Sequence, residues 1–395
     1  MFEHLPLLPA DPILGLSSAF AADPSPRKVD LGVGVYRNAH GLTPILESVK
    51  RAQTLRAEQE TTKAYTAPAG IPGANTAVQE LTFGKQHRVI NHTRIATLQT
   101  PGGCGALRVA AELIQRTRPG ATVWVSTPTW GNHIPLLGNA GLKLKEYPYY
   151  DFERHTIDFD RMMSTLNQAQ AGDLVLLHAS CHNPSGADLT REQWQAVADC
   201  AATIGFTPFI DMAYQGFGEG VDEDAWGLRL LAENLPELIL ATSFSKNFGL
   251  YRERAGSLSV VGSSSHAAAA INSQLLNITR GLYSMPPAHG AAIVDIIYHS
   301  PELYSLWQSE LANMRERIQQ LREQLVGALN TCQAQRDFSF IRSERGMFSF
   351  LGLSTAEVRR LKQEFSIYMT ENSRINVAGL NDEKLGLLSE AIGSL

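Results

Sequence analysis

From about residue 94 onward, short apolar runs alternate with helical patterns along the chain. The runs are RIATLQ, ATVWVS, DLVLLHAS, TPFID and ELILATS, and each ends in a polar or glycine-rich turn. That alternation predicts an α/β architecture, a mostly parallel sheet with helices on both faces. Ligands bind such sheets outside the carboxyl ends of the strands. The turns TPGGCGALR, TPTWGNH, CHNPSG, MAYQGF and FSKNFG therefore bring Gly103, Trp130, Asn183, Asp211, Tyr214 and Lys246 towards one edge. The run GSLSVV follows Lys246 too closely for a crossover helix and is expected antiparallel to its neighbour. The AAAA patch at 267 to 270 reads as helix.

Further on, SPELYSLWQSELANMRERIQQLREQLVGALN has Ser300 as a candidate N-cap and Pro301 at the first helical position. Apolar residues follow in steps of three and four at Leu303, Leu306, Trp307, Leu311, Met314, Ile318, Leu321, Leu325 and Leu329. They predict one helix over about 301–330, ~45 Å long at ~1.5 Å per residue, enough to link two domains. Downstream, FSFI, GMFSFLGL and RINVAGL are strand candidates for a smaller α/β unit. RKVDLGVGVY reads as a strand and glycine turn without a partner nearby in sequence, and is expected to join that unit. The expected division is a large domain over 45–300 and a small one made of 1–44 with 301–395.

The 395 residues, 44% hydrophobic and 18% charged, suit a globular protein with a large core rather than a disordered chain. A net charge of -5 provides no global basic field for nucleic acid or an anionic membrane. An anionic ligand must then be held by a local cluster. Cys104, Cys181, Cys200 and Cys332 form no CxxC pair and no metal-ligand spacing with the histidines, which points to a reduced compartment, by default the cytoplasm. The opening MFEHLPLLPADPILGL, with Pro6, Pro9 and Pro12, lacks the basic and apolar segments of a signal peptide. No apolar run reaches the ~18 residues that span a bilayer.

The glycine turn of TPGGCGALRVAAELIQ opens an amphipathic helix, so its free amides and the helix dipole suit an anion, most often phosphate; a plain strand-to-helix turn has the same appearance. It is neither a Walker loop nor a GxGxxG fingerprint. Lys246, emerging from the strand that ends in LILA, is either a surface residue or a tuned amine. Asp211, at the end of TPFI, needs a positive partner, a helix cap or an ion pair if buried. A pyridinium nitrogen would satisfy Asp211, and an aldehyde on the same ring would explain Lys246. With the glycine turn for the phosphate, the three together suggest pyridoxal 5'-phosphate. Trp130 could stack on such a ring or fill the core. His133 could support Asp211 or be an ordinary hydrogen-bonded histidine. Arg254, Arg280 and Arg374 lie in the turn-like, low-charge segments YRERAG, TRGLYSMPP and NSRINVAG, where ligand binding competes with simple exposure.

Read together, these motifs resemble the aspartate and aromatic amino-acid aminotransferases of fold-type I. The likeness runs from ADPILGL through LGVGVYRN, ETTKAY, TPGGCGALR, CHNPSG, DMAYQGF, SFSKNFGLYRERAG, YSMPPAHG and GMFSFLGL to SRINVAGL, nearly the whole chain. It implies a seven-stranded, mostly parallel sheet and a dimer with shared sites. It also implies Lys246 as the lysine that carries the cofactor and moves the substrate Cα proton, and Asp211 as partner of the ring nitrogen. Tyr214 and Asn183 would bond the ring oxygen. Arg254, Ser243 and the amides of Gly103 and Cys104 would hold the phosphate, with Tyr65 reaching across from the other subunit. Trp130 and His133 complete the cofactor site, and Arg252 is expected to be exposed. Arg374 would fork onto the substrate α-carboxylate beside Gly34, with Trp130 and Asn183 near the substrate. Arg280 of the other subunit would bind a distal carboxylate.

This chain departs from that family at Cys104, where a hydroxyl donor is usual, at Met285 and at Ala64, whereas Val35 and Thr43 match the aspartate-preferring branch. Met285 is apolar and adaptable, which suits aromatic side chains. The expected activity is transamination between L-aspartate and 2-oxoglutarate, with a broad aspartate and aromatic specificity as the alternative. A lyase or decarboxylase on the same cofactor fits poorly with the arginine pair Arg280 and Arg374. A cofactor-sensing transcription regulator would need a DNA-binding module, for which the N-terminal segment leaves no room.

Overall fold

The computed structural model describes residues 1–8, 12–332 and 336–395, with the side chains of 12–14 excluded. Pro9, and Ala10 and Asp11 of ADPILGL, lie outside the described residues. Seven strands form the main sheet: β1 (Ile95–Pro101), β2 (Thr122–Thr127), β3 (Lys143–Pro148), β4 (Leu174–His178), β5 (Thr207–Met212), β6 (Leu238–Ser243) and β7 (Ala255–Val261). Their order across the sheet is β1-β7-β6-β5-β4-β2-β3. Only β7 runs against its neighbours, pairing Gly256 with Thr100 on one side and with Ser243 on the other. This is the direction expected for GSLSVV, because a short turn can join only antiparallel strands.

Both faces of the sheet are apolar. On one, Val123, Val125, Leu176, Phe209 and Leu258 meet the helix α1 (Gly102–Thr117) and the helix Ser265–Leu282 that contains the AAAA patch. On the other, Trp124, Val175, Leu177, Ile210 and Leu240 pack with Trp194, Leu228 and Leu231. Strands buried on both sides show as continuous apolar runs, which is why five of them were legible. The sixth parallel strand, β3, was not: it is the edge strand KLKEYP, with exposed Lys143, Lys145 and Glu146. Edge strands carry charge that blocks further pairing and hides the apolar signal.

The long helix is α2 (Pro301–Thr331), with Ser300 accepting a hydrogen bond from the Leu303 amide and Pro301 in the first turn. Of the periodic positions, all but half-buried Leu306 are buried. Trp307 of this helix donates its indole N–H to the Asn247 carbonyl at 2.9 Å and stacks on Phe248 at 4.5 Å, so α2 braces the turn that carries Lys246. Beyond it, Val29–Asp30 pairs in parallel with Ile367–Tyr368, and Phe348–Phe350 pairs antiparallel with Arg374–Asn376.

One expected strand is not a strand. FSFI lies in a 3-10 turn over Ser339–Arg342. Asp337 accepts from both the amide and the hydroxyl of Ser339, which starts the turn, and the three-residue spacing of buried Phe338 and Ile341 puts both on one side of it. RINVAGL is a strand only to Asn376, whose side chain then caps a second 3-10 turn at Val377–Gly379.

Candidate active site

At the carboxyl ends of the strands lies a cavity of about 270 Å³. It is lined by Gly34, Gly103, Cys104, Trp130, Asn183, Asp211, Tyr214, Ser243, Lys246, Arg254 and Arg374, eleven of the residues singled out in the sequence. His133 stands directly behind it, fully buried. Tyr65 and Arg280 are not brought there: Tyr65 is 91% exposed, and Arg280 is an exposed residue whose guanidinium, among the described residues, meets only Ser284. Arg252 is exposed, as expected.

One end of the cavity is built for an anion. Helix α1 begins after Pro101 without a side-chain cap, so its first amides are free to bind a ligand. Gly102 has φ +69°, and a Cβ there would lie 2.9 Å from the Arg254 Cζ. A Cβ on Gly256 would lie 2.6 Å from the Gly102 carbonyl carbon. Two glycines therefore let β7, the start of α1 and the arginine crowd together. Arg254, itself at φ +52°, is anchored by its Nη1 donating to the Tyr251 carbonyl at 3.0 Å. The hydroxyls of Ser243 and Ser245 are 3.1 Å apart beside it. Cys104 keeps its amide in the helix start, and its thiol accepts from Asn132 Nδ2 at 3.7 Å.

The floor holds Asp211, 8% exposed, with its Oδ2 2.9 Å from His133 Nε2. Burial pushes the Asp211 carboxyl up, but the hydrogen bond from His133 and the charge of Lys246 help outweigh it and hold it below the ordinary value. A chain of partners continues behind: His133 Nδ1 to Thr129 Oγ1 at 2.8 Å, then Thr129 Oγ1 to His178 Nε2 at 3.4 Å. His178 Nδ1 accepts the Asn183 amide at 3.4 Å, which leaves Nε2–H to donate to Thr129. Burial holds His178 neutral, lowering it to about 3.

Lys246 points into the middle, with its Nζ 5.1 Å from the centre of the Tyr214 ring. Burial lowers its pKa while Asp211 pulls the other way, so the amine gives up its proton more readily than an ordinary lysine. Tyr214, buried, is raised by burial and remains a phenol; its hydroxyl is 3.5 Å from Asn183 Nδ2. Trp130 meets the His133 ring edge-on at 5.3 Å, so it serves both as cavity wall and as packing for the histidine.

At the far end, Arg374 is 6% exposed, donates to the Gly32 carbonyl at 2.7 Å and reaches Asn183 Oδ1 at 3.5 Å. Among the described residues its Nε has no partner, a buried donor left for a ligand. Sequence reasoning did not select Phe348, whose ring lies 4.4 Å from the Arg374 guanidinium, or His178, Ser180 and Ser245, which also line the cavity. Phe348 was within reach, since it sits inside the quoted GMFSFLGL. His178 and Ser180 end an apolar strand and carry no spacing signal of their own.

Residues 26–392 match the family described as aminotransferase class I and II, and the chain belongs to that family. It is 49% identical over 392 residues to the aspartate aminotransferase of Escherichia coli, covering 99% of each chain. It is 45% identical over 394 residues to the aromatic-amino-acid aminotransferase of Pseudomonas aeruginosa, covering all of this chain and 98% of the relative. The crystal structure of the aromatic-amino-acid aminotransferase from Burkholderia pseudomallei covalently bound to pyridoxal phosphate superposes with a TM-score of 0.98 at 43% identity, covering 100% and 99%.

Proposed function

We propose that this aminotransferase uses pyridoxal 5'-phosphate to move an amino group between L-aspartate and 2-oxoglutarate, forming oxaloacetate and L-glutamate, and that aromatic amino acids are a second substrate class. The observation that carries the reading is the convergence of Asp211, Arg374 and the Lys246–Arg254 segment on one cavity from three distant parts of the chain. The groups present fit the cofactor and a substrate: free amides, a hydroxyl and a guanidinium as donors to the phosphate, a carboxylate to accept from the ring nitrogen, and a buried arginine whose Nε has no partner among the described residues for a substrate carboxylate.

When bound, the cofactor supplies an electron sink for the negative charge that develops at the substrate Cα. The chain supplies the rest. Lys246 would hold the cofactor through its Nζ, and the same amine would serve to move the substrate Cα proton as general base and then acid. Asp211, kept ionised and oriented by His133, would hold a proton on the ring nitrogen. Tyr214 and Asn183 would donate to the ring oxygen, and Trp130 would wall the cavity beside the ring. Arg254, Ser243 and the amides of Gly103 and Cys104 hold the phosphate. Arg374 forks onto the α-carboxylate, with Gly34 leaving room for it.

The reading includes a homodimer in the cytoplasm, in which Tyr65 and Arg280 of each chain complete the site of the other. Exposure of both residues in the single chain supports this, and shared sites suit two-fold symmetry. The division into 45–300 and 1–44 with 301–395 belongs to the same proposal. Among the described residues, no helix is long and apolar enough to cross a membrane. Half-buried Met285, close to Arg280 in sequence, favours the aromatic class as a second activity.

The test is the absorbance of the cofactor-loaded protein after adding aspartate alone, then phenylalanine alone. Loss of the long-wavelength band with both is the expected result, and loss with aspartate only removes the aromatic class. Absence of that band after supplying cofactor would sink the assignment of Lys246.

A further inference from the structure

Behind the carboxylate end of the cavity, one buried side chain binds a loop at six points. Arg322 lies on α2 and is 1% exposed. Its Nη1 donates to the Ile341 carbonyl at 3.1 Å, Glu344 Oε2 at 3.1 Å and Ser349 Oγ at 2.8 Å. Its Nη2 donates to the carbonyls of Arg345, Gly346 and Phe348 at 3.3, 2.9 and 2.7 Å. The Ser349 hydroxyl in turn donates to the Glu344 carboxylate, and Tyr150 reaches the same carboxylate at 3.4 Å. A buried ion pair is a poor source of net stability, because desolvation offsets the attraction. What this one delivers is geometry, since a planar fork meeting six acceptors leaves the backbone from 341 to 349 few alternatives.

That backbone leads into the site. Phe348 to Phe350 pairs with Arg374 to Asn376, with Phe350 opposite Arg374. The Phe348 ring lies 4.4 Å from the Arg374 guanidinium and 6.1 Å, edge-on, from the Tyr214 ring. A Cβ on Gly34 would come within 2.8 Å of the Phe348 ring, so the ring has no slack on that side. The same loop is tied to the turn that holds Asn183, through the Arg345 amide donating to the Gly186 carbonyl at 2.7 Å.

We propose that Arg322 is a positioning residue for the substrate-carboxylate end of the site, acting through the 341–349 loop and the Phe348 ring that packs on Arg374. The inference rests on the reading of Arg374 as the carboxylate-binding group. Arg322 does not face the cavity, so it sets where the guanidinium points without touching the ligand. Lysine is no substitute, since one ammonium cannot replace two nitrogens that each serve three acceptors.

The test uses cofactor-loaded enzyme and succinate, a dicarboxylate with no amine to react. Arg322→Lys is expected to raise the succinate Kd about tenfold, while cofactor content and the turnover number at saturating aspartate change less than about twofold. A merely structural role would lower the melting temperature and leave that Kd in place. In a Phe348→Ala background the same change is expected to alter Kd by less than about twofold, because the ring through which it acts is gone. An unchanged Kd in Arg322→Lys, or losses that simply multiply in the double variant, overturns the proposal. Should Arg322→Lys fail to hold cofactor, Ser349→Ala removes one acceptor and keeps the charge pair; about a threefold rise in Kd is then expected, and none overturns it. Arg374→Lys separates the two levels. If it leaves succinate binding unchanged, the carboxylate site lies elsewhere and the role falls with it; if it weakens binding while Arg322→Lys does not, only the positioning role is lost.

Discussion

Lys246 and Asp211 are tuned by burial and by each other, and both effects can be measured. Lys246→Ala is expected to abolish turnover while still admitting cofactor loosely; wild-type turnover in that variant would remove Lys246 from the chemistry. His178 gives a stability signature. It is neutral in the fold, lowered to about 3, whereas an unfolded histidine takes a proton near pH ~6.5. Between those values the unfolded chain binds more protons than the native one, so stability rises with pH and is lost as pH falls through that window. The expected cost is about 1.4 kcal/mol per pH unit for this one group. His178→Gln should flatten the fall in melting temperature between pH 6.5 and 5 by that one-proton slope; an unchanged slope would show that the group titrates alike in both states.

Helix α1 shows how a local conformation sets an anion site. Gly102 must hold a positive φ while Arg254 presses against the position of its absent Cβ. Gly102→Ala is therefore expected to push Arg254 aside and weaken cofactor retention, roughly 10-fold or more, with little loss of global stability. Dialysis of the loaded variant against buffer measures it, and full retention would mean that the crowding is not needed. At the start of α2, Ser300→Ala removes the cap to the Leu303 amide and should cost about 1 kcal/mol in denaturant unfolding. The long helix was legible because its apolar period, cap and proline agree. FSFI was misread because its four apolar and small residues fit a strand as well as a turn, and only the Asp337 contacts choose between them.

For the proposed dimer, Arg280 is the decisive residue, since it is exposed in the single chain and among the described residues its guanidinium meets only Ser284. Arg280→Ala is expected to depress kcat/KM for aspartate by about 2–5 kcal/mol in transition-state terms, and that for phenylalanine far less. Equal losses on both substrates would refute a side-chain role. The same proposal requires a dimer in solution, which sedimentation checks directly; a monomer with full activity would remove Tyr65 and Arg280 from the site together.

The order of motifs, the apolar runs and the turn residues at their ends were enough to set the class of fold, the seat of the cavity and most of its lining, because a parallel sheet places successive strand ends on one edge. Lys246, Asp211 and Asn183 were readable in this way, whereas the role of Arg254 followed only from the family resemblance. Other features depend on contacts between residues far apart in sequence, which no local pattern records. The hydrogen-bonded chain from His178 through Thr129 and His133 to Asp211 is one. The packing of Phe348 on Arg374, and the burial of Arg322 beneath it among six acceptors, are others. In the sequence Arg322 is one charged residue on an amphipathic helix and His178 the last residue of an apolar strand. Only the folded chain removes water from them, and without water their hydrogen-bond partners decide what they do.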